Sequence, residues 1–346
     1  MTYIETTLLQ NISVHYTGNK KAEEGIIITK SPLKTGEQLN KVLMRYFLSA
    51  FKSQEYFNFY HDTDISMNEV FVFVSSIFDD PESLHEQSVN LARHLYEQSV
   101  HPKIKGGEFY TVYFKDCVFN GDTYDAVGLF KSENKDTFLK VYTSGKSYEI
   151  ESEQGINVNK LDKGCLIFNT EKEKGFVVAV VDNSSKGTEA QYWIDDFLHL
   201  QQRKDEYFNT QNILTLCKNF VTNELPQHFE VTKADQADLL NKSVKFFKEN
   251  DKFNLNEFTN EVINEPEVIK NFNKYKNNFQ KEYDIDIEDN FEISGSAVKK
   301  QARIFKSVIK LDRNFHIYIH GNRNMIEQGI DENGRKFYRI FYDEET

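Results

Sequence analysis

The chain has little with which to lock itself together covalently. Its 346 residues include three cysteines. Cys117, Cys165 and Cys217 lie far apart without a CxxC pair, so a zinc ribbon or a thioredoxin-like site finds no support. Cys117 and Cys165 fall in or beside apolar strand-like runs, where a thiol is ordinarily buried and inert. Long apolar runs are missing too. No window approaches the length of a membrane span, and the opening "MTYIETTLLQNISVHYTG" lacks a basic stretch followed by an apolar one. Neither a spanning helix nor a signal peptide is expected, and a reducing cytoplasm without a membrane partner fits best. Positive charge is in short supply as well. With 42 Lys and Arg against 54 Asp and Glu, the formal charge is -12, which opposes attraction of the whole surface to DNA or anionic lipid.

Familiar catalytic signatures are also absent. "GGEFY" lacks the GK[ST] ending of a phosphate-binding loop, and no GxSxG elbow is present. No helix-turn-helix, zinc finger or base-reading signature is visible. No catalytic residue, cofactor or metal is therefore assigned, and a non-enzymatic protein is expected. The best enzyme alternative is a metal-dependent nuclease, in which carboxylates on neighbouring strands hold a divalent ion and a Lys aids the attacking water. Asp125 begins "YDAVGLFK", and Asp136 and Lys140 flank "TFL" on the next run. The spacing is not the compact acid-x-Lys form, and Asp136 is expected in a turn.

Large side chains are plentiful. The 39% hydrophobic content, with 29 Phe and 18 Tyr, supplies a core that needs no disulfides. "TLLQNISVHYTG" and "EGIIITKSPLKTG" read as strand and turn, each apolar run ending at a glycine. Leu39, Val42, Leu43, Tyr46, Phe47 and Ala50 keep helical spacing on one face of "EQLNKVLMRYFLSAFKS". "NEVFVFVSSIF" is a β-branched and aromatic run. In "DDPESLHEQSVNLARHLYEQS" an Asp is placed to cap, Pro81 sits near the first helical position, and Leu84, Leu91 and Leu95 form a stripe. From residue 106 the period changes to strands, with a turn at Asn120-Gly121 and a second hairpin in "GCLIFNTEKEKGFVVAVVDNSSKG". Such short connections favour antiparallel pairing.

Around "AQYWIDDFLHLQQRKDEYFNTQNILTLCKNFV" the chain turns helical. Leu240, Val244 and Phe247 mark one packing face, and Val268, Phe272, Tyr275 and Phe279 another, with Pro266 at a helix start. "YDIDIEDNFEIS" reads as an acidic connector, after which strands return. The expected fold class is α+β: an antiparallel sheet with flanking helices, a helical middle subdomain and a C-terminal β-hairpin region. The expected division is 1–200, 201–290 and 291–346.

One stretch runs against the overall charge. Residues 296–324 hold Lys299, Lys300, Arg303, Lys306, Lys310, Arg313 and Arg323 against Asp312. Seven less one is +6, which leaves about -18 on the other 317 residues of a chain at -12. In "FHIYIH", alternation sends Phe315, Ile317 and Ile319 one way and His316, Tyr318 and His320 the other. Four residues along a strand is roughly 13 Å, too far for His316 and His320 to share an ion without unusual bending. The plainer reading is a solvated sheet face beside a basic helix. The sharper one is a phosphate-contacting surface, in which Lys299, Lys300, Arg303, Lys306, Lys310, Arg313 and Arg323 neutralise phosphates and His316, Tyr318 and His320 assist.

Several of these stretches resemble the bacterial nucleoid-associated protein family, the NdpA-like proteins. "GGEFYTVYF" followed by "YDAVGLFK" is similar to that family's central strands. "AQYWIDDFLHLQQRKDEYFNTQNILTLCKNFV", with Asp196-Phe197-Leu198 near its start, resembles its middle segment. "FKSVIKLDRNFHIYIH" through "GRKFYRIFYDEE" resembles its closing strands, so the likeness spans nearly the whole chain. The resemblance implies a cytoplasmic, nucleoid-located, DNA-binding protein with no established catalytic residue set. It supplies no motif for carrying over DNA-contacting positions, so the candidate site rests on charge and alternation alone. The expected partner is double-stranded DNA, bound without strong sequence specificity, and a homodimer would double the patch. The alternative is a chromosome-associated protein-interaction adaptor, since an acidic surface suits a basic partner.

Overall fold

The computed structural model describes residues 7–184, 192–303, 305, 308–312, 314–318 and 325–344. The chain divides into two compact units, 1–203 and 204–346. In the first, the apolar runs become one antiparallel sheet in the order β10-β3-β9-β8-β5-β4-β1-β2. Its strands are β1 (Leu8–Thr17), β2 (Ile26–Ile27), β3 (Tyr56–Phe59), β4 (Gly107–Phe119), β5 (Asp122–Ser132), β8 (Lys163–Phe168), β9 (Val177–Asp182) and β10 (Leu200–Gln202). The helices are α1 (Glu37–Leu48), α2 (Glu69–Asp79) and α3 (Leu84–Gln98). A separate hairpin, β6 (Asp136–Ser144) with β7 (Ser147–Gly155), is inserted between β5 and β8.

Both faces of the central strands are covered, which is why they read as continuous apolar runs. Along β4, Phe109 and Tyr113 face the core made with α2 and α3, while Tyr110, Val112 and Phe114 face the core made with α1. Along β5, Val127 and Leu129 take the first side, Ala126 and Phe130 the second. Gly128 sits between them because a Cβ there would come within 2.4 Å of the Phe130 ring. The β4–β5 turn has Asn120 at φ 51° and Gly121 at φ 93°, the left-handed pair a two-residue hairpin needs.

Several local expectations are corrected. "NEVFVFVSSIF" is helical: Val70, Val74 and Ile77 are buried one helical face apart, and the Asn68 side chain caps α2 by accepting from the Phe71 N–H. Tertiary burial of that stripe outweighs β-propensity. In α1 the buried set is Met44, Tyr46, Phe47 and Leu48, whereas Leu39 and Val42 are exposed. The expected helical stretch opens with a π-helical turn at Ile194–Leu198 but is interrupted at 200–202, where β10 pairs with β3. The strand in "EGIIITK" shrinks to two residues. The expected cap and Pro81 belong to a 3₁₀ turn, Pro81–Ser83, that leads into α3: the Asp80 carboxylate accepts from the Glu82 N–H, α3 itself has no side-chain cap, and its Leu84, Leu91 and Leu95 are buried. The three cysteines are free and buried, and desolvation pushes the Cys117 thiol up to about 12.

The second unit contains α4 (Glu206–Asn219), α5 (Leu225–His228), α6 (Lys233–Glu249), α7 (Leu255–Phe258), α8 (Pro266–Tyr283) and α9 (Gly295–Ala302). Its described strands form three antiparallel pairs: β11 (Lys252–Asn254) with β12 (Asn290–Glu292), which α7 and α8 separate in the chain, and the hairpins β13 (Val308–Leu311) with β14 (Phe315–Tyr318) and β15 (Ile326–Ile330) with β16 (Lys336–Ile340). The stripes of α6 and α8 converge: Leu240, Phe247, Val268, Phe272 and Phe279 share one core with Phe220 and Phe258. Thr232 and Asp235 close a reciprocal capping box at the start of α6. The acidic connector is more than a linker, since Ile287 is buried and Asn290–Glu292 forms β12. No described helix is long and apolar enough to cross a membrane. The α+β reading holds: a large antiparallel sheet with helices, a helical middle and C-terminal hairpins.

Candidate nucleic-acid interface

The basic run begins on α9. The Ser294 side chain caps the helix by accepting from the Ala297 N–H, and Ala297, Val298 and Gln301 are buried. Lys299 and Lys300 are thereby left exposed, as is Arg303 just past the helix end. Lys299 and Arg303 are four residues apart and share a face. Together with Lys248 and Asn250, at the end of α6, they line a concavity of about 620 Å³. The one carboxylate on its rim is Asp251, and among the described residues none of the three cations is ion-paired. Lys300 serves another surface, with Nζ 5.6 Å from the centre of the buried Tyr207 ring, a cation–π contact.

The β13–β14 hairpin continues the run. Its register pairs Lys310 with His316 and Val308 with Tyr318 on one face, and Ile309 with Ile317 and Leu311 with Phe315 on the other. Ile309, Leu311 and Ile317 pack with Ala234 and Ala237 of α6. That packing presents Lys310, His316 and Tyr318 to solvent, with Tyr318 62% exposed. The expected alternation is therefore present at Phe315, His316, Ile317 and Tyr318. Lys306, Arg313, Ile319, His320 and Arg323 lie outside the described residues. Lys310 also lines a second concavity of about 300 Å³ with Lys233 and Gln236. There the Lys233 ammonium donates to Gln236 Oε1 at 2.8 Å.

Six of the sequence candidates, Lys299, Lys300, Arg303, Lys310, His316 and Tyr318, thus lie on described surface of the second unit. Lys233, Lys248 and Asn250 join them from α6, some 50 to 75 positions earlier in the chain. Sequence reasoning missed these three because lysines on the outer face of an amphipathic helix ordinarily signal solvation. Only the fold of α6 against α9 and β13 makes them neighbours.

The nuclease residues are scattered. Asp125 lies in β5 of the main sheet and accepts from the Tyr113 hydroxyl at 2.7 Å. Asp136 is the first residue of β6, not a turn residue, and accepts from Asn157 at 2.8 Å and Lys160 at 2.9 Å. Those two bonds hold its carboxyl below the usual range. Lys140 is on the same hairpin but donates to Glu153 at 3.1 Å. Each group is occupied structurally, and no cluster of three or more His, Cys, Asp and Glu suited to a metal ion occurs among the described residues.

No curated protein matches the chain. A family model does: the one described as nucleoid-associated protein YejK matches residues 13–346, nearly the whole length, and the chain belongs to that nucleoid-associated protein family.

Proposed function

We propose that the chain is a non-enzymatic protein that holds duplex DNA through its phosphates, without strong sequence specificity, using the basic surface of its second unit. Family membership places it at the nucleoid, in the cytoplasm. The observation that carries the binding mode is the α6–α9 concavity, where Lys248, Lys299 and Arg303 converge without an ion pair among the described residues. Unpaired cations in a concave, partly apolar setting focus a local positive potential that a chain at -12 otherwise lacks. Lys310, with His316 and Tyr318 beside it, extends the surface along the hairpin. Short hairpins and helix ends offer no element shaped to read base edges, so contacts to the backbone dominate.

A salt-titrated binding assay on double-stranded DNA, single-stranded DNA and RNA tests this reading. Engagement of about four to six phosphates gives a log-affinity against log-salt slope of roughly -4 to -5 on duplex. Reversing Lys248, Lys299 and Arg303 to Glu is expected to flatten that slope and weaken binding to every duplex sequence alike. Affinity unmoved by salt, or by the triple reversal, removes this surface from the account. Incubation with plasmid and Mg²⁺ or Mn²⁺ is expected to leave the DNA intact, and cleavage would restore the nuclease reading.

A further inference from the structure

The α6–α9 concavity holds more than phosphate contacts require. Lys248, Lys299 and Arg303 account for its charge, but Phe247, Val298 and Ala302 line it too. Phe247 and Val298 are buried in the core of the unit, and the Phe247 ring stacks on Phe253 with centres 5.3 Å apart, so this apolar floor is fixed. A phosphate gains nothing from such a floor, because its charge is best left hydrated. Asp251 is a second feature of this kind. Its carbonyl accepts from the Ile293 N–H at 2.7 Å, which sets its place on the rim. Among the described residues no hydrogen bond or ion pair holds its carboxylate, a group that repels phosphate.

One ligand uses all three features. A nucleotide has a flat base with apolar faces, polar groups on the base edge and a phosphate close by. Guanine is the base with two adjacent N–H donors on one edge, N1–H and the 2-amino group, which one carboxylate accepts together. We propose that the concavity takes a guanine turned out of a DNA strand, with its face on the apolar floor, its N–H edge on Asp251 and the flanking phosphates on Lys248, Lys299 and Arg303. This assignment rests on the DNA-binding reading above. A base stacked within a duplex cannot reach the floor, whereas a bulge or a mismatch supplies one at small unstacking cost. A strand suits the site better than a free nucleotide, since the basic surface runs on past the concavity to Lys310 on β13.

Fluorescence anisotropy of the full chain at one salt concentration, on four labelled duplexes, tests the proposal. One duplex is intact, and the others carry a single bulged guanine, inosine or abasic site at the same position. The bulged guanine is expected to bind about tenfold more tightly than the abasic bulge, as a stacked base contributes. It is expected to exceed inosine, which lacks the 2-amino donor, by about fivefold, and Asp251→Ala to close that gap. Ala302→Phe and Gly295→Leu, which fill the concavity, are expected to bring the guanine and abasic bulges to one affinity. A Cβ at Gly295 meets nothing within 4 Å, so the second variant serves even if the first disturbs α9, and circular dichroism establishes the fold of each. Intact duplex bound with its salt dependence but without preference among the bulges overturns this inference and leaves the DNA-binding reading standing. No duplex bound at all removes both. A guanine preference that survives filling of the concavity overturns it, as does free guanosine triphosphate that competes as strongly as the bulged strand.

Discussion

Single side chains set the chemistry of the interior. His15 is buried on β1, and its Nδ1 accepts from the Thr29 N–H at 3.2 Å. The ring proton therefore sits on Nε2 and is shared with Ser88 Oγ at 2.8 Å, and Ser88 in turn donates to the His85 carbonyl. Protonating Nδ1 would set one N–H against another. Burial, followed by the neighbouring His85, lowers the His15 pKa to about 4. The unfolded chain thus takes up this proton near pH 6.5 and the folded chain near pH 4. The stabilising contribution is complete above pH 6.5, falls as the pH drops from there to 4, and is gone below. Thermal melts across that window are expected to show a decline that is shallower in His15→Gln. Lys163 poses the opposite problem, a buried charge that must stay paired. Its ammonium meets both oxygens of Asp182 at 2.8 Å. Lys163→Met is expected to cost about 3–5 kcal/mol by taking the counter-charge from that carboxylate. Adding Asp182→Leu should recover much of the loss, as urea denaturation of the three variants would report.

At the level of elements, α2 shows how a local signal is overridden. Val, Phe and Ile dominate Glu69–Asp79, and their composition alone favours strand. Asn68 decides otherwise. Its Oδ1 accepts from Phe71 N at 2.9 Å, while Nδ2 donates to the carbonyls of Tyr60 and Leu198 at 3.1 Å each. Asn68→Ala is expected to cost about 2–4 kcal/mol, from the lost cap and the carbonyls left unpaired. Asn68→Asp keeps the cap but sets a buried carboxylate oxygen against the carbonyls that Nδ2 served, so its cost in the same denaturant titration should be at least that of Asn68→Ala. The β-rich runs from 107 to 182 were legible because their turns carry Asn-Gly and polar punctuation. The strand at 290–292 was not, because an acidic stretch hid the buried Ile287 beside it. In the β13–β14 hairpin, alternation alone placed His316 and Tyr318 on the polar side. The three α6 residues of the candidate interface could not be found in this way, since nothing in a lysine on an amphipathic helix names its spatial neighbour.

For the molecule as a whole, the separate cores of 1–203 and 204–346 carry a consequence. If the basic surface of the second unit accounts for DNA binding, a fragment spanning 204–346 that retains its helical circular dichroism is expected to bind duplex with the salt slope of the full chain. The fragment 1–203, whose surface lacks those cations, is expected not to bind. Fluorescence anisotropy at several salt concentrations would check both. Binding confined to 1–203 would relocate the interface.

The sequence by itself determined the class of the fold, the burial of Cys117 and Cys165 and the contrast between one basic stretch and an acidic chain. Each of these depends on local periodicity or on a sum of charges, and both are properties of residue order. Tertiary structure alone decided which lysines stand together. It also decided that the 69–79 run is a helix and that the α6–α9 concavity has an apolar floor. The physical reason is common to all three: burial and proximity are relations between segments distant in sequence, and they arise only when the chain closes on itself.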